Sequence, residues 1–184
     1  MPSFLDDISS FYGTGEKNEK GQTLEEFLKE YDPYQYKNPC ATTDMVLFSY
    51  AGEKPDTDAL KVLLVCRKNH PSIGYWALPG GFVELYENLE DTARRELEEE
   101  TGYCSDDLTR ILSLKTTVAF CDEFIDVYLA KNLKPGHQHL DEGEFIDVAA
   151  YGVDELCDMI YAGTIQDAKT VAGILAYKNL LNQD

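Results

Sequence analysis

The sequence predicts an α/β protein, a sandwich in which a mixed β-sheet lies between helices. Apolar, strand-like runs precede a glutamate-rich helix, more strands follow it, and two helices close the chain. That order is typical of layered α/β domains. Of the 184 residues, 43% are hydrophobic, which is enough for one domain with a proper core. The sequence shows no repeat and no linker long enough to separate a second domain.

The first 36 residues are predicted to form an arm followed by a short helix. Residues 1–21 are polar and contain glycines, a composition typical of a loose segment. Thr23 and Glu26 have the spacing of a capping box, so we expect a helix to begin there. We therefore divide the chain into an N-terminal arm and short helix, 1–36, and a main domain, 37–184.

Apolar runs bounded by turn residues predict the strands of the main domain. They lie at 44–50, at 60–67, in two short pieces within 75–84, and at 108–120, 124–130 and 145–151. Closing helices are expected at about 153–162, ending at Gly163, and at about 167–181, beginning at Asp167. The stretch 131–144 holds proline, glycine and acids between two strands, so we expect a mobile loop there.

The segment from Asn88 to Gly102 predicts an amphipathic helix. Asn88 can cap the first turn, with Asp91 three residues on as an approximate capping box. Gly102 supplies the left-handed position at which helices commonly end. An apolar residue recurs at every fourth position, at Leu89, Ala93 and Leu97.

Four glutamates crowd the end of this helix, at Glu96, Glu98, Glu99 and Glu100. The C-terminal end of a helix carries the negative pole of its dipole, where each anion costs roughly 0.3–1 kcal/mol. At about 100° per residue, Glu96, Glu99 and Glu100 share one arc of the helix surface, while Glu98 points away. A bound hard divalent cation would offset the repulsion, and Mg²⁺ pairs naturally with substrate phosphates.

The composition excludes whole classes of partner. The chain has 16 basic and 34 acidic residues, a net charge of −18 and a pI near 4.4. A nucleic acid or an anionic membrane needs a basic face instead. The five cysteines form no CxxC pair, and His137 and His139 have no neighbours that would complete a transition-metal site. With no signal peptide and no apolar run of transmembrane length, we expect a cytoplasmic protein.

Residues in and around the glutamate helix resemble the Nudix box, the signature of the Nudix hydrolases. The positions that carry the resemblance are Gly81, Glu87, Arg95, Glu96, Glu99, Glu100 and Gly102. Tyr103 departs from the pattern, because a small or aliphatic residue is more usual there. The resemblance implies a Nudix-type α/β/α sandwich. It also implies an enzyme that cleaves a nucleoside diphosphate linked to another moiety, by attack of water on a phosphorus of the pyrophosphate.

The same resemblance implies roles for individual residues. The three glutamates of the shared arc would hold Mg²⁺, or Mn²⁺ in its place, with the carbonyl oxygen of Gly80 as a backbone ligand. Arg95 would orient the carboxylates, with Glu87 as its partner. Gly81, Glu87 and Gly102 would have structural roles in the motif.

Three further stretches are similar to ADP-ribose pyrophosphatases, at 120–130, 141–148 and 163–176. In that subfamily an acidic loop supplies a carboxylate that completes the metal site or activates the water. Here the resemblance points to Glu142 and Glu144 in that role. A loop that delivers a group only when substrate binds fits gating by closure. The general base stays open among Glu144, Glu142 and Glu96.

Two other features of the sequence leave the identity of the substrate undecided. ADP-ribose pyrophosphatases commonly carry a proline where this chain has Val118, so NADH, nucleotide sugars and oxidised dNTPs stay as alternatives. The segment 62–84 is also similar to Nudix proteins of NAD metabolism, including regulators that carry a DNA-binding domain. A sensor that binds ADP-ribose without cleaving it is therefore the alternative from another class.

Two expectations concern contacts of the domain. Arg67 ends a strand that leads toward the box, so we expect it to contact a phosphate or the terminal ribose, with a surface salt bridge as the alternative. The resemblance also implies a homodimer in which N-terminal segments cross between subunits. The segment 1–36 is suited to that role, and a flexible tail is the alternative.

Overall fold

The computed structural model describes residues 16–30, 41–49, 61–70, 72–119, 123–141 and 144–182. Its helices are α1 (Leu24–Glu30), α2 (Leu89–Thr101), α3 (Val153–Tyr161) and α4 (Ala168–Leu181). Its strands are β1 (Ala41–Ser49), β2 (Lys61–Arg67), β3 (Trp76–Ala77), β4 (Gly80–Phe82), β5 (Tyr103–Cys104), β6 (Asp107–Lys115), β7 (Phe124–Lys131), β8 (Lys134–Pro135) and β9 (Ile146–Gly152).

Strand β1 organises a mixed sheet, as the sequence predicted. It runs parallel to β7 along one edge, and β6 continues the sheet antiparallel to β7. Along its other edge β1 changes partner, pairing antiparallel first with β4 and then with β2. Strands β3 and β9 both pair with β2. The pairing of Gly80 with Asp44 and of Gly81 with Thr43 therefore fixes the Gly-Gly segment beside the central strand.

Helices cover both faces of this sheet, which confirms the α/β/α sandwich. In β2, Val62 and Leu64 pack toward α3 and α4, whereas Leu63 packs toward α2. Strand β7 alternates in the same way, with Val127 facing α3 and α4 and Tyr128 facing α2. Because both faces of β2 are covered, residues 62–65 form a continuous buried run rather than an alternating one.

Local signals placed the helices within about two residues. The capping box of α1 is present, since the backbone N–H of Thr23 donates to Glu26 (2.8 Å) and that of Glu26 donates to the Thr23 hydroxyl (3.3 Å). Helix α4 begins after Asp167, whose carboxylate accepts from the Thr170 backbone N–H at 3.0 Å. In the part of the chain described above, no helix has both the length and the apolar composition needed to cross a bilayer.

Two expectations need correction. The strand expected at 108–120 ends at Lys115, because a turn follows at 118–119. The stretch 131–144, expected to be a mobile loop, contains β8, which pairs with β5 just after α2. Part of this loop is therefore anchored to the end of the glutamate helix. Glu142 and residues 1–15 of the arm lie outside the described residues.

Candidate active site

The glutamate helix is capped at both ends as its sequence predicted. The Asn88 side chain accepts from the backbone N–H groups of Glu90 (3.1 Å) and Asp91 (3.0 Å), and its amide donates to the Asp91 carboxylate. Gly102 adopts φ 72°, a left-handed conformation that glycine reaches without a steric penalty. The last turn holds no basic residue. The glutamates must therefore find positive partners elsewhere.

Arg95 is the positively charged partner of three of the glutamates, Glu87, Glu96 and Glu99. Its Nε and Nη2 atoms bind the two oxygens of Glu87 at 3.1 and 3.0 Å, a bidentate pair. Its Nη1 donates to Glu96 Oε1 and to Glu99 Oε2, both at 2.9 Å, and its Nη2 donates to the Phe82 carbonyl at 3.2 Å. One guanidinium thus joins three carboxylates and ties the helix to β4.

The Gly-Gly segment packs directly on the helix. The Gly80 N–H donates to Glu100 Oε2 at 2.7 Å, and Glu100 is only 5% exposed. A Cβ atom on Gly81 would lie 2.2 Å from Glu96 Oε1, far inside van der Waals contact. Any side chain at 81 would therefore displace the Glu96 carboxylate from its observed position.

Burial makes the ionised form of two carboxyl groups, Glu96 and Glu144, less favourable. Burial raises the pKa of Glu96 to about 7, with Arg95 lowering it and the charges of Glu99 and Glu144 raising it further. Burial also raises the pKa of Glu144, which lies near enough to Arg67 and Glu99 to be influenced by their charges. The guanidinium of Arg95 has the opposite effect on Glu87, whose pKa it holds below the ordinary value. Arg95 thus offsets only part of the effect of burial on Glu96.

The end of the glutamate helix is covered by the loop that follows β8, a contact that sequence analysis missed. The Gly136 N–H donates to the Gly102 carbonyl (2.8 Å), and the Gln138 amide donates to the Glu100 carbonyl (2.7 Å). The His139 N–H donates to the Glu99 carbonyl at 3.0 Å, and the His139 ring lies 3.5 Å from a Glu99 oxygen. These donors satisfy carbonyl groups that a helix end leaves unpaired. No sequence motif marks them.

A cavity of about 230 Å³ opens beside this helix end. Its walls combine apolar residues with acids and bases from five parts of the chain: Val65, Arg67, Asn69, Ala77, Leu78, Gly80, Glu100, Asp141, Glu144, Phe145, Ile146 and Lys169. Of the residues singled out from sequence, the structure brings Arg67, Gly80, Glu100 and Glu144 to this cavity. Glu96 and Glu99 lie in the adjoining Arg95 network.

Helix α4 supports the part of the cavity wall that contains Leu78 and Gly80, and sequence analysis did not assign this role to it. The backbone N–H of Leu78 donates to the Thr170 hydroxyl at 2.9 Å, and that hydroxyl donates to Asp167 Oδ2 at 2.6 Å. Thr170 is completely buried. Because Leu78 precedes Gly80 by two residues, the first turn of α4 holds the Gly-Gly segment in place. The segment 163–176 carried a family resemblance, but nothing in its residue pattern indicated these contacts.

The side chains fit a hard divalent cation by chemistry rather than by a preformed cage. Within the described ranges, no three histidine, cysteine or acidic side chains converge closely enough to hold an ion as they stand. Glu96 is nevertheless a largely buried carboxylate whose pKa is raised, and it shares one guanidinium with Glu99 and Glu87. Oxygen donors of this kind suit Mg²⁺ or Mn²⁺ and do not suit softer metals.

Comparison with known proteins places the chain in a family. The model of the NUDIX domain matches residues 48–173, more than half of the chain. An ADP-ribose pyrophosphatase of Bacillus subtilis (strain 168) is 36% identical over 121 residues, 64% of this chain and 65% of that protein. The ADPR responsive transcriptional repressor NtrR of Acinetobacter baylyi is 42% identical over 90 residues, 48% of this chain and 34% of that protein.

A solved structure agrees with this placement. It is the NUDIX domain of Shewanella oneidensis NrtR, crystallised with ADP ribose, which is 27% identical to this chain with a TM-score of 0.56. The match covers 87% of this chain and 99% of that domain. The alignments with the two sequence relatives span less than two thirds of either relative's length. The chain belongs to the NUDIX domain family.

Proposed function

We propose that this protein hydrolyses the pyrophosphate bond of ADP-ribose, giving AMP and ribose 5-phosphate in a Mg²⁺-dependent reaction. The observation that carries the proposal is the set of three box glutamates gathered around Arg95 and Gly80 beside a cavity that holds both acids and bases. The names of the relatives support the choice of ADP-ribose, since one is an ADP-ribose pyrophosphatase and one domain was crystallised with ADP ribose.

In this proposal Glu96, Glu99 and Glu100 hold the cation together with the Gly80 carbonyl. A divalent ion in that position offsets the charge that develops on the pyrophosphate oxygens. Arg95 keeps Glu96 and Glu99 close together until they bind it, since its Nη1 atom lies 2.9 Å from both. Mn²⁺ would serve in place of Mg²⁺, because both prefer oxygen ligands.

Glu144 is the residue we propose as general base. It lines the cavity, and burial raises its pKa above the ordinary value, a direction that makes the carboxylate a stronger base. Glu96 is less suited, because its carboxylate is already engaged by Arg95 and closely packed against Gly81. Glu142, the other candidate, lies outside the described residues.

A sensor that binds ADP-ribose without cleaving it is the second candidate. The similarity to the NtrR repressor and to the NrtR domain favours it. A sensor has no need for a complete acidic set, so the presence of Glu96, Glu99 and Glu100 supports the enzyme instead. NADH, nucleotide sugars and oxidised dNTPs stay as alternative substrates. The reason to consider these substrates was Val118, which stands where a proline is common in ADP-ribose pyrophosphatases. Val118 is 89% exposed and does not line the cavity.

The cellular setting belongs to the proposal as well. We propose a cytoplasmic homodimer with no nucleic-acid or membrane partner, in which 1–36 crosses to the second subunit while 37–184 forms the catalytic domain. Sedimentation at micromolar concentration tests the dimer. A single species at the monomer mass of 20.8 kDa would contradict it.

The activity is tested by a phosphate-release screen with Mg²⁺, coupled to alkaline phosphatase. Its substrates are ADP-ribose, NADH, diadenosine polyphosphates, nucleotide sugars and dNTPs. We expect ADP-ribose to lead, and the Glu99→Gln/Glu100→Gln variant to lose turnover by about a thousandfold or more. The matched control is Glu90→Gln/Asp91→Asn, which removes two charges from the other end of the same helix and should keep its rate.

Three other outcomes would each change the account. A different leading substrate would replace ADP-ribose and leave the hydrolase in place. Binding of ADP-ribose without any turnover would favour the sensor. Unchanged turnover in Glu99→Gln/Glu100→Gln would remove these glutamates from the mechanism.

A further inference from the structure

Lys169 is a cavity residue that the box does not include. It lies in the first turn of α4 and lines the same cavity as Gly80, Glu100 and Glu144. Its side chain is 28% exposed, so most of it is packed against the protein. A positively charged side chain of α4, a helix distant in sequence from the glutamates, therefore lines the cavity.

The backbone around Lys169 is held firmly relative to the glutamate helix. Its neighbour Thr170 is completely buried and accepts the Leu78 N–H at 2.9 Å. Gly80, two residues after Leu78, donates to Glu100 at 2.7 Å. A short chain of hydrogen bonds thus links the base of Lys169 to the acidic end of α2. A lysine anchored in this way is placed more accurately than one on a loose surface loop.

Asp167 gives Lys169 a partner without making the helix depend on it. One oxygen, Oδ2, caps α4 through the N–H and the hydroxyl of Thr170. The other oxygen, Oδ1, lies 3.2 Å from the Lys169 ammonium. Since different oxygens serve the two contacts, the ammonium can turn toward an anion in the cavity while the helix cap stays intact.

The charges of the cavity explain what such a cation is for. Its described lining holds the acids Glu100, Asp141 and Glu144, and its basic members are Arg67 and Lys169. The two bases stand on separate elements, the end of β2 and the start of α4. In a chain of net charge −18, a pyrophosphate with two negative charges needs local cations that the protein itself supplies. A compact ammonium is suited to a single phosphate oxygen.

We propose that Lys169 is a substrate-binding residue that donates to a non-bridging oxygen of the pyrophosphate, from the side of the cavity formed by α4. The inference rests on the proposed function for its substrate class. It assigns to α4 a role in recognition in addition to the support that it gives to the Gly-Gly segment. Lys169 then gives up its contact with Asp167 when the pyrophosphate binds.

The test compares Lys169→Met and Lys169→Arg with the control Lys178→Met. Lys178 stands on the same helix, contacts Asp154 at 2.9 Å and does not line the cavity. For ADP-ribose with Mg²⁺ we expect Lys169→Met to lower kcat/KM by about 10- to 100-fold, mainly through KM. Lys169→Arg should recover most of the loss, because it restores the charge. Lys178→Met should match the wild type within about twofold.

A binding measurement separates this inference from the proposed reaction. Calorimetry with Ca²⁺ in place of Mg²⁺ compares ADP, which carries a pyrophosphate, with adenosine, which carries none. We expect Lys169→Met to weaken ADP by about tenfold and to leave adenosine unchanged. The same pattern in a protein that fails to hydrolyse ADP-ribose would overturn the proposed function and keep the inference.

The contrary results are equally distinct. Equal kcat/KM values for Lys169→Met and a wild type that does hydrolyse ADP-ribose would overturn the inference and keep the function. An equal weakening of ADP and adenosine, together with a lower Tm and no recovery in Lys169→Arg, would show a structural role and also overturn it.

Discussion

The two ends of α2 contrast sharply although they belong to one helix of 13 residues. At the N-terminal end, Asn88 caps the first turn and the acids Glu90 and Asp91 lie where the helix dipole favours them. Arg94 pairs with both of these acids along the exposed surface. Every local choice at this end stabilises the helix.

The C-terminal end breaks the same rules. It places glutamates at the negative pole, with no basic residue in the last turn, and buries Glu100 almost completely. Arg95 offsets part of the cost, and the 136–139 loop supplies donors to the last carbonyl groups. Local rules that fail at one place and hold elsewhere mark a functional site. We propose from this contrast that the acidic end serves binding rather than stability.

Replacing either of the adjacent arginines Arg94 and Arg95 tests the contrast between the two ends of α2. The largest effect is expected for Arg95. Arg95→Ala leaves Glu87, Glu96 and Glu99 without their shared cation, and breaking such a partly buried group costs about 3 kcal/mol or more. Turnover should fall by at least a hundredfold, because the carboxylates lose their orientation. Urea unfolding and steady-state kinetics measure both quantities.

Arg94→Ala is the matched control for that variant. Arg94 pairs with exposed acids, so its loss should cost less than about 1 kcal/mol and leave the rate unchanged. If the two variants were equally stable and equally active, the two ends of the helix would not differ as we describe.

Gly81→Ala disturbs the acidic end of α2 without removing any charge. The new methyl group would meet Glu96 Oε1 at 2.2 Å and displace the carboxylate from Arg95. Since the end of a side chain can move aside, we expect turnover to drop by about 10- to 100-fold with little change in Tm. Gly152→Ala controls for the substitution, because a Cβ there meets nothing within 4 Å. Full activity in Gly81→Ala would show that the position of Glu96 is unimportant.

The pH dependence of stability gives a smaller effect. The folded state raises the pKa of Glu96 from 4.5 to about 7, so it binds the proton more tightly than the unfolded chain does. The metal-free protein should therefore lose stability as the pH rises through that window. Glu96→Gln should flatten this part of the curve, and saturating Mg²⁺ should do the same, because a metal ligand must be deprotonated.

Glu87 should change the stability with pH in the opposite direction, and the same experiment measures it. Its pKa is lowered in the folded state, first through its hydrogen bond with Arg95. Its contribution is therefore present above the ordinary pKa of a glutamate and is lost as the pH falls below it. A stability curve of the metal-free protein that rose steadily from pH 4.5 to 7, unchanged in Glu96→Gln, would contradict the assignment.

Local patterns in the sequence were enough to predict the frame of this site. The spacing of Asn88, the apolar stripe and Gly102 defined α2 to the residue, because capping depends on neighbours in the chain. The arc shared by Glu96, Glu99 and Glu100 followed from helical periodicity alone. The order of strands and helices also predicted a mixed sheet. The parallel pairing of β1 with β7 makes the sheet mixed, since the other pairs are antiparallel.

The rest of the site depends on contacts between segments that are distant in sequence. Thr170 meets Leu78 across 92 residues, and Gln138 meets Glu100 across 38. Neither pair has a periodicity or a motif that would bring the two residues together. Lys169 was missed for the same reason, since it lines the cavity together with residues that are distant from it in sequence. The anchored part of the 131–144 loop was missed because β8 is only two residues long.

Calorimetric titration of the metal-free protein with Mg²⁺ tests the central claim, that the acidic end of α2 is a cation site. It compares the wild type, Glu99→Gln and the control Glu90→Gln at the other end of the helix. We predict that the wild type and Glu90→Gln bind Mg²⁺ with the same affinity and that Glu99→Gln binds it at least tenfold more weakly. Equal affinity in all three proteins would contradict the account.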